Sequence, residues 1–263
     1  MKIKNEYNLN KRKEKVITTF LQLALFIIII FSWELLSRLN IIDAFLFSKP
    51  SSIVKLLYKY IVSLELFEHI FISSIETILG LIIGTIFGLI IAIILWWNKL
   101  LSKILEPFLV VLNALPKTAL APILIIWAGT GIKGITVVAI SISLVVTILS
   151  AYSYFINVDE EKIKMLKSFG ATRFQILTKL IIPANLDNII NIIKINIGMS
   201  WVGVIVGEFI VSRAGIGYLI VYGSQVFKMD LVMMGVIVLA IISYFMYGIL
   251  NVLEKIVKGK RSK

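Results

Sequence analysis

Residues 158–183 read VDEEKIKMLKSFGATRFQILTKLIIP. Five of them are cationic: Lys162, Lys164, Lys167, Arg173 and Lys179. Apolar residues recur at helical spacing, first Ile163, Leu166 and Phe169, then Phe174, Leu177 and Ile181, with Gly170 interrupting the pattern. The spacing predicts a short helix, a glycine-centred turn and a second helix ending at Pro183. Long apolar stretches lie on both sides, so this basic segment has the composition of a protein-facing projection on the cytoplasmic side of a membrane. The rest of the chain is expected to hold it there.

Composition supports that setting. Of 263 residues, 59% are hydrophobic and only 16% charged, with a mean hydropathy of +0.97. A soluble domain is about 45–50% apolar and about 25% charged. The class is therefore an all-α polytopic membrane protein, and no Gly/Ser/Pro-rich linker divides it. The net charge of +12 does not point to nucleic acid. The cations gather between apolar runs, as topology determinants do, and no basic stripe is interleaved with exposed aromatics. Without cysteine, and with His69 as the single histidine, disulfides, thiolate ligation and a His-rich metal site are excluded. The basic beginning is followed by an apolar run too long for a signal peptide, and no small-residue cleavage site follows. It is read as a retained first span.

Taken in order, 1–15 is a cytoplasmic basic tail, 16–253 a six-span transmembrane domain and 254–263 a second basic tail. A span needs about 20 apolar residues, which places the six at 16–36, 70–97, 105–129, 135–156, 184–212 and 230–253. Between the first two, a helix starting at Ser51 or Ser52 carries Ile53, Leu56, Leu57 and Tyr60 on one face. It is expected to lie along the membrane surface. Gly80, Gly84, Gly88 and Ala92 put a small residue at every fourth position of the second span, which favours close helix approach. The tails and the connections 97–104 and 157–184 hold eighteen Lys and Arg, and the opposite connections seven. Both termini and the 158–183 loop are thus expected in the cytoplasm.

Gly129-Thr130-Gly131-Ile132-Lys133-Gly134 matches G-x-G-x-x-G letter for letter, but it joins two spans and no acid follows at the right distance. A Gly-rich turn explains it. No Walker-type G-x-x-x-x-G-K-[ST] occurs, so the chain does not itself cradle ATP phosphates. Charged side chains at membrane depth by default face a bundle interior or a wet pathway. Lys117 lies twelve residues past Leu105, about 18 Å along a helix, between Pro116 and Pro122. Prolines free backbone carbonyls, tolerable in the bilayer only beside protein or water. Asn113, Pro116, Lys117 and Thr118 are therefore candidate pathway residues, with Lys194, Asn196 and Glu208 of the fifth span. The alternative is a kinked structural helix whose lysine pairs with Glu76 or Glu208. His69 reads as an interfacial histidine and Trp96, Trp97, Trp127 and Tyr244 as interface anchors.

The 158–183 loop resembles the ATPase-docking loop of ATP-binding-cassette (ABC) importer permeases. That loop has a Glu-Ala-Ala opening, a glycine six residues after the Glu and a proline thirteen beyond it. Gly170-Ala171-Thr172 and Ile182-Pro183 keep the second half at the same spacing, whereas Lys164, Met165 and Leu166 occupy the opening. Phe47-Ser48-Lys49-Pro50-Ser51, the run Leu115–Pro122 with Ile126-Trp127-Ala128-Gly129, and Trp201, Glu208 and Gly215-Ile216-Gly217 resemble the nitrate/sulfonate/taurine branch. Asp187 stands where a second proline is common.

The resemblance implies a MetI-like, type I importer fold in the bacterial inner membrane, surrounded by membrane lipid and paired as a homodimer. It implies two kinds of partner, a cytosolic ABC ATPase that holds ATP and Mg, and an extracytoplasmic binding protein that delivers the solute. The permease chain itself binds no cofactor and is not an enzyme. Met165, Leu166, Phe169, Gly170, Ala171, Phe174 and Pro183 are the ATPase-coupling residues so implied. The solute is expected to be a sulfonate-, taurine- or nitrate-type anion, which Lys117 and Lys194 would suit, with a thiamine pyrimidine or riboflavin as the alternative. An ion-coupled secondary transporter would need an inverted repeat, and a membrane enzyme would need a clustered catalytic set. Neither is visible.

Overall fold

A computed structural model describes residues 2–261, and every regular element in it is helical. The chain runs through α1 (Lys2–Arg38), α2 (Ala44–Phe47), α3 (Pro50–Val62), α4 (Glu65–Trp97), α5 (Lys99–Ala114) and α6 (Lys117–Ala128). It continues through α7 (Ile132–Ile156), α8 (Glu160–Ser168), α9 (Arg173–Ile176), a π-helical turn (Leu177–Ile181) and α10 (Ile182–Ala184). The last three helices are α11 (Leu186–Val211), α12 (Ile216–Gln225) and α13 (Met229–Arg261). Among the described residues, α1, α4, α7, α11 and α13 are long and apolar enough to cross a membrane, and α5 with α6 makes a sixth if that bent pair counts as one span.

At the centre, α7 is clasped between α4 and α11. Ala139 is fully buried where both neighbours offer bare backbone: a Cβ added to Gly80 of α4 would come within 2.5 Å of Ala139 Cβ, and one on Gly203 of α11 within 2.5 Å of its Cα. One turn apart along α4, Gly84 meets Ser143 and Gly88 meets Thr147. The four-residue spacing of small groups thus works as a packing ladder, since lipid tails offer no hydrophobic drive and close van der Waals contact must hold the helices. Hydrogen bonds add specificity. Ser143 Oγ donates to the Gly80 carbonyl at 3.3 Å. The Asn196 amide of α11 donates to Thr85 Oγ1 of α4 at 2.8 Å and to Thr147 Oγ1 of α7 at 2.6 Å. Interhelical hydrogen bonds in membranes average about 0.6 kcal/mol, so Asn196→Ala is expected to cost about 1–2 kcal/mol through two lost bonds. Unfolding of the purified protein in a graded detergent series measures this, and an unchanged midpoint would remove Asn196 from the scaffold.

Three features differ from expectation. The third span is not one kinked helix: α5 and α6 meet at 100° across Leu115–Pro116. Pro116 has no N–H and drives Leu115 out of the helical region, to φ −65° and ψ 134°. Pro107 and Pro122 are accommodated inside their helices. Next, α3 begins at Pro50, a favoured first helical position, and its predicted apolar face does not lie on lipid. Ile53 is buried, with Leu56, Leu57 and Tyr60 half-buried, against Ile216 and Leu219 of α12 and Leu231 and Met234 of α13. Glu34 of α1 accepts from Ser51 N at 3.0 Å, and Ser48 Oγ donates to Asp230 Oδ1 at 2.5 Å, fastening this layer. Finally, α1 and α13 extend through the segments read as tails. Along α1, Phe20, Phe26 and Phe31 are each more than 60% exposed, an apolar surface that only lipid or another chain can cover.

Candidate coupling and translocation sites

The 158–183 loop folds as its residues dictate. Asp159 caps α8, accepting from Glu161 N at 2.9 Å. The helix ends in a Schellman pair, Ala171 N to the Leu166 carbonyl at 3.0 Å and Gly170 N to the Lys167 carbonyl at 2.9 Å. Gly170 sits at φ +77°, the left-handed conformation that glycine adopts without strain. Thr172 and Gln175 then form a reciprocal capping box that starts α9. The π turn follows, with Ile182 N reaching back five residues to the Leu177 carbonyl just before Pro183, which has no N–H to give.

Two faces result. Ile176, Leu177 and Ile181 are buried against Ala92 of α4, Ala151 and Phe155 of α7 and Ile192 of α11. Leu166 and Ala171 pack on the same cluster, and Pro183 is half-buried. Met165, Phe169 and Phe174 point away, 53%, 80% and 64% exposed. The seven sequence-derived residues therefore divide into an outward apolar tip (Met165, Phe169, Phe174), a turn (Gly170) and an inward anchor (Leu166, Ala171, Pro183).

The proposed pathway residues do not gather in one place. Asn113, Pro116 and Thr118 are exposed and Lys117 half-buried at the α5–α6 break. Lys117 Nζ donates to the Asn113 carbonyl at 3.1 Å and lies 3.4 Å from Asn113 Oδ1, supplying a donor to a carbonyl beside the broken helix end. Its ammonium thus binds neither Glu76 nor Glu208 among the contacts described. Lys194 pairs with Glu254 of α13 at 2.5 Å and lies 5.5 Å from the Tyr247 ring centroid. Asn196 stands at the three-helix junction.

Glu208 is 1% exposed and caps α12. Its Oε2 accepts from Gly217 N at 2.5 Å and Tyr218 N at 3.3 Å, and its Oε1 accepts from the Ser73 hydroxyl at 2.5 Å. Ser73 Oγ accepts from Ile216 N at 2.8 Å, and His69 Nδ1 from Gly215 N at 2.9 Å. Glu76, equally buried, is a close neighbour of the Glu208 carboxyl, and its Oε2 has no hydrogen-bond partner among the described residues. The N–H groups at the start of α12, which no helix can satisfy internally, are thus met by α4 and α11. Gly217 is required there, because a Cβ would sit 2.8 Å from Glu208 Oε2. Sequence reasoning missed Ser73 and the structural use of His69. The available signal was their spacing, since His69, Ser73 and Glu76 follow i, i+4, i+7 on one face of α4. Among the described residues, no group of three His, Asp or Glu side chains is placed to hold a metal ion.

Comparison with known proteins agrees with this architecture. Residues 84–259 match the family model described as binding-protein-dependent transport system inner membrane component. The chain is 29% identical over 237 residues to the putative aliphatic sulfonates transport permease protein SsuC of Bacillus subtilis, covering 89% of this chain and 86% of that one. It is 27% identical over 220 residues to a probable ABC transporter permease protein of Haemophilus influenzae, covering 84% and 89%. An inward-facing structure of the MetNI methionine ABC transporter superposes with a TM-score of 0.65 at 16% identity, over 73% of this chain and 95% of that one, and shows the shared fold. The family match spans most of the bundle, including the capped loop and Glu208 itself, while His69, Ser73 and Glu76 precede it. The chain therefore belongs to the binding-protein-dependent transport system inner membrane components, and is a transport subunit of an ABC importer rather than an enzyme.

Proposed function

We propose that the chain forms the translocation pore of an ATP-driven importer of small organic anions, with both termini and the 158–183 loop in the cytoplasm. The observation that carries the reading is the outward apolar tip: Met165, Phe169 and Phe174 stand in solvent on a doubly capped helix–turn–helix. Such exposed anchors fit a groove on a second protein, and here that protein is the cytosolic ATPase. The excess of cations on the same side supports a cytoplasmic position for it. On the opposite face an extracytoplasmic binding protein delivers solute.

Two copies would face each other across the α5–α6 break. There the exposed Asn113, Pro116, Lys117 and Thr118 put an ammonium, an amide and an exposed helix break at a shared, wet boundary. Lys194, Asn196 and Glu208 support that pathway from behind, through the ion pair, the three-helix junction and the α12 cap. A sulfonate-type solute is favoured by the likeness to SsuC and by the Lys117 ammonium.

The test is ATPase turnover of the reconstituted complex of this permease, its co-purifying ATPase and candidate binding proteins, against a panel of taurine, alkanesulfonates, nitrate, thiamine pyrimidines and riboflavin. Stimulation by a sulfonate-loaded binding protein is the expected result. Stimulation by a vitamin precursor alone would keep the importer and overturn the anion. Failure of any ATPase to co-purify would overturn the coupling role of the loop.

A further inference from the structure

A cavity of about 320 Å³ opens between the inner side of the 158–183 loop and the end of the bundle. Its bundle wall is Trp96 and Trp97, the last residues of α4, and Lys99 at the start of α5; its loop wall includes Lys164, Lys167 and Arg173. Four cations thus line it, against the single carboxylate of Glu160, which lies 3.6 Å from Lys164 in a pair more than 70% exposed. Exposed pairs of that kind hold weakly, so the carboxylate does not neutralise the pocket. Arg173 Nη1 donates to the Trp97 carbonyl at 3.1 Å, which fixes the guanidinium at the rim with further N–H groups to offer.

Helical geometry separates this surface from the outward tip. Glu160, Ile163, Lys164 and Lys167 follow i, i+3, i+4, i+7 on one face of α8, and Met165 lies on the other side. The pocket also sits where a membrane-spanning helix ends, at the depth where tryptophan rings prefer the headgroup layer. A ligand there must carry negative charge at the top and tolerate apolar surface below.

We infer that this cavity binds the phosphate headgroup of an anionic phospholipid, with Lys164, Lys167, Lys99 and Arg173 around the phosphate and the two tryptophans against the glycerol and upper acyl region. The lipid then bridges the bundle to the inner side of the loop, making the seating of that loop sensitive to the surrounding leaflet. The assignment is independent of which solute crosses.

The experiment is native mass spectrometry of the full chain, purified with whatever ATPase accompanies it, after exchange into micelles doped with phosphatidylglycerol or phosphatidylcholine. Retention of phosphatidylglycerol over phosphatidylcholine is expected. Each basic side chain near an anionic surface is worth about fivefold, so Lys164→Gln with Lys167→Gln should weaken retention about twenty-five-fold. Lys162→Gln, a change of the same charge type on the opposite side of α8, should leave retention unchanged, against the roughly fivefold loss expected for each pocket lysine. Equal retention by the double variant, or equal loss with Lys162→Gln, would overturn the site. Saturable binding of inorganic phosphate with no preference between the lipids would assign the pocket to a soluble anion instead. Loss of ATPase co-purification in the double variant with lipid retention intact would assign the cations to the protein interface. Either result would overturn the proposal.

Discussion

Glu208→Ala is expected to destabilise the protein by about 3–6 kcal/mol and to abolish transport. The carboxylate takes hydrogen bonds from Gly217 N, Tyr218 N and Ser73 Oγ while almost wholly buried. Removing it strands three donors, each costing about 1–3 kcal/mol when buried and unpaired. Rotation of the Ser73 hydroxyl recovers part of one, which keeps the total below the upper sum. Folded domains hold only about 5–15 kcal/mol in reserve, so the loss threatens the fold itself. Glu208→Gln keeps an acceptor for part of the set and should lose about half as much. The measurement is the thermal unfolding midpoint of purified protein together with solute uptake in vesicles. A wild-type midpoint for the alanine variant would show that the α12 cap is not structural.

The second large effect is confined to coupling. Met165→Asp with Phe169→Asp should cut ATP-driven uptake at least hundredfold while insertion and yield remain normal. Both side chains are exposed in the chain itself, Phe169 by 80%, so acidic replacements disturb nothing inside the bundle. Buried anchors at an interface are typically worth 2 kcal/mol or more each, and desolvating two carboxylates in an apolar groove adds to that loss. At 1.4 kcal/mol per decade, about 4 kcal/mol already exceeds hundredfold. Pull-down of the ATPase alongside uptake separates docking from catalysis. Normal uptake would assign the outward tip to some other contact.

Much of this architecture could be read from the chain because it rests on local rules. The turn at Gly170 follows from a glycine placed where an amphipathic pattern breaks, and the α4–α7 contact from small residues at every fourth position. The break at Pro116 was foreseeable as a disruption, but its 100° bend depends on how α6 lies against α7, which no local pattern encodes. Long-range pairings were less legible still. Lys194 reads from sequence as a candidate pathway cation and meets Glu254 sixty residues later. His69 looked interfacial and receives the Gly215 N–H across 146 residues of chain. The apolar face of α3 is legible in its periodicity, but hydrophobicity alone cannot distinguish lipid from α12 and α13 as what covers it. Polar groups in a bilayer must find partners, and sequence reveals that need well before it reveals the partner.

The contact of Ala139 with two bare glycine backbones also has a mechanical consequence. Side chains can repack when helices slide, whereas backbone pressed on backbone leaves nothing to rearrange, and close-packed interiors switch between discrete arrangements rather than deforming smoothly. α4, α7 and α11 are accordingly expected to move as one stiff lever. Ile176, Leu177 and Ile181 are packed onto one end of it, so a load applied at the 158–183 loop would pass to all three helices together. The compliance needed to open and close a pore would then fall on the joint at Leu115–Pro116 and on α1, which has few neighbours in the bundle.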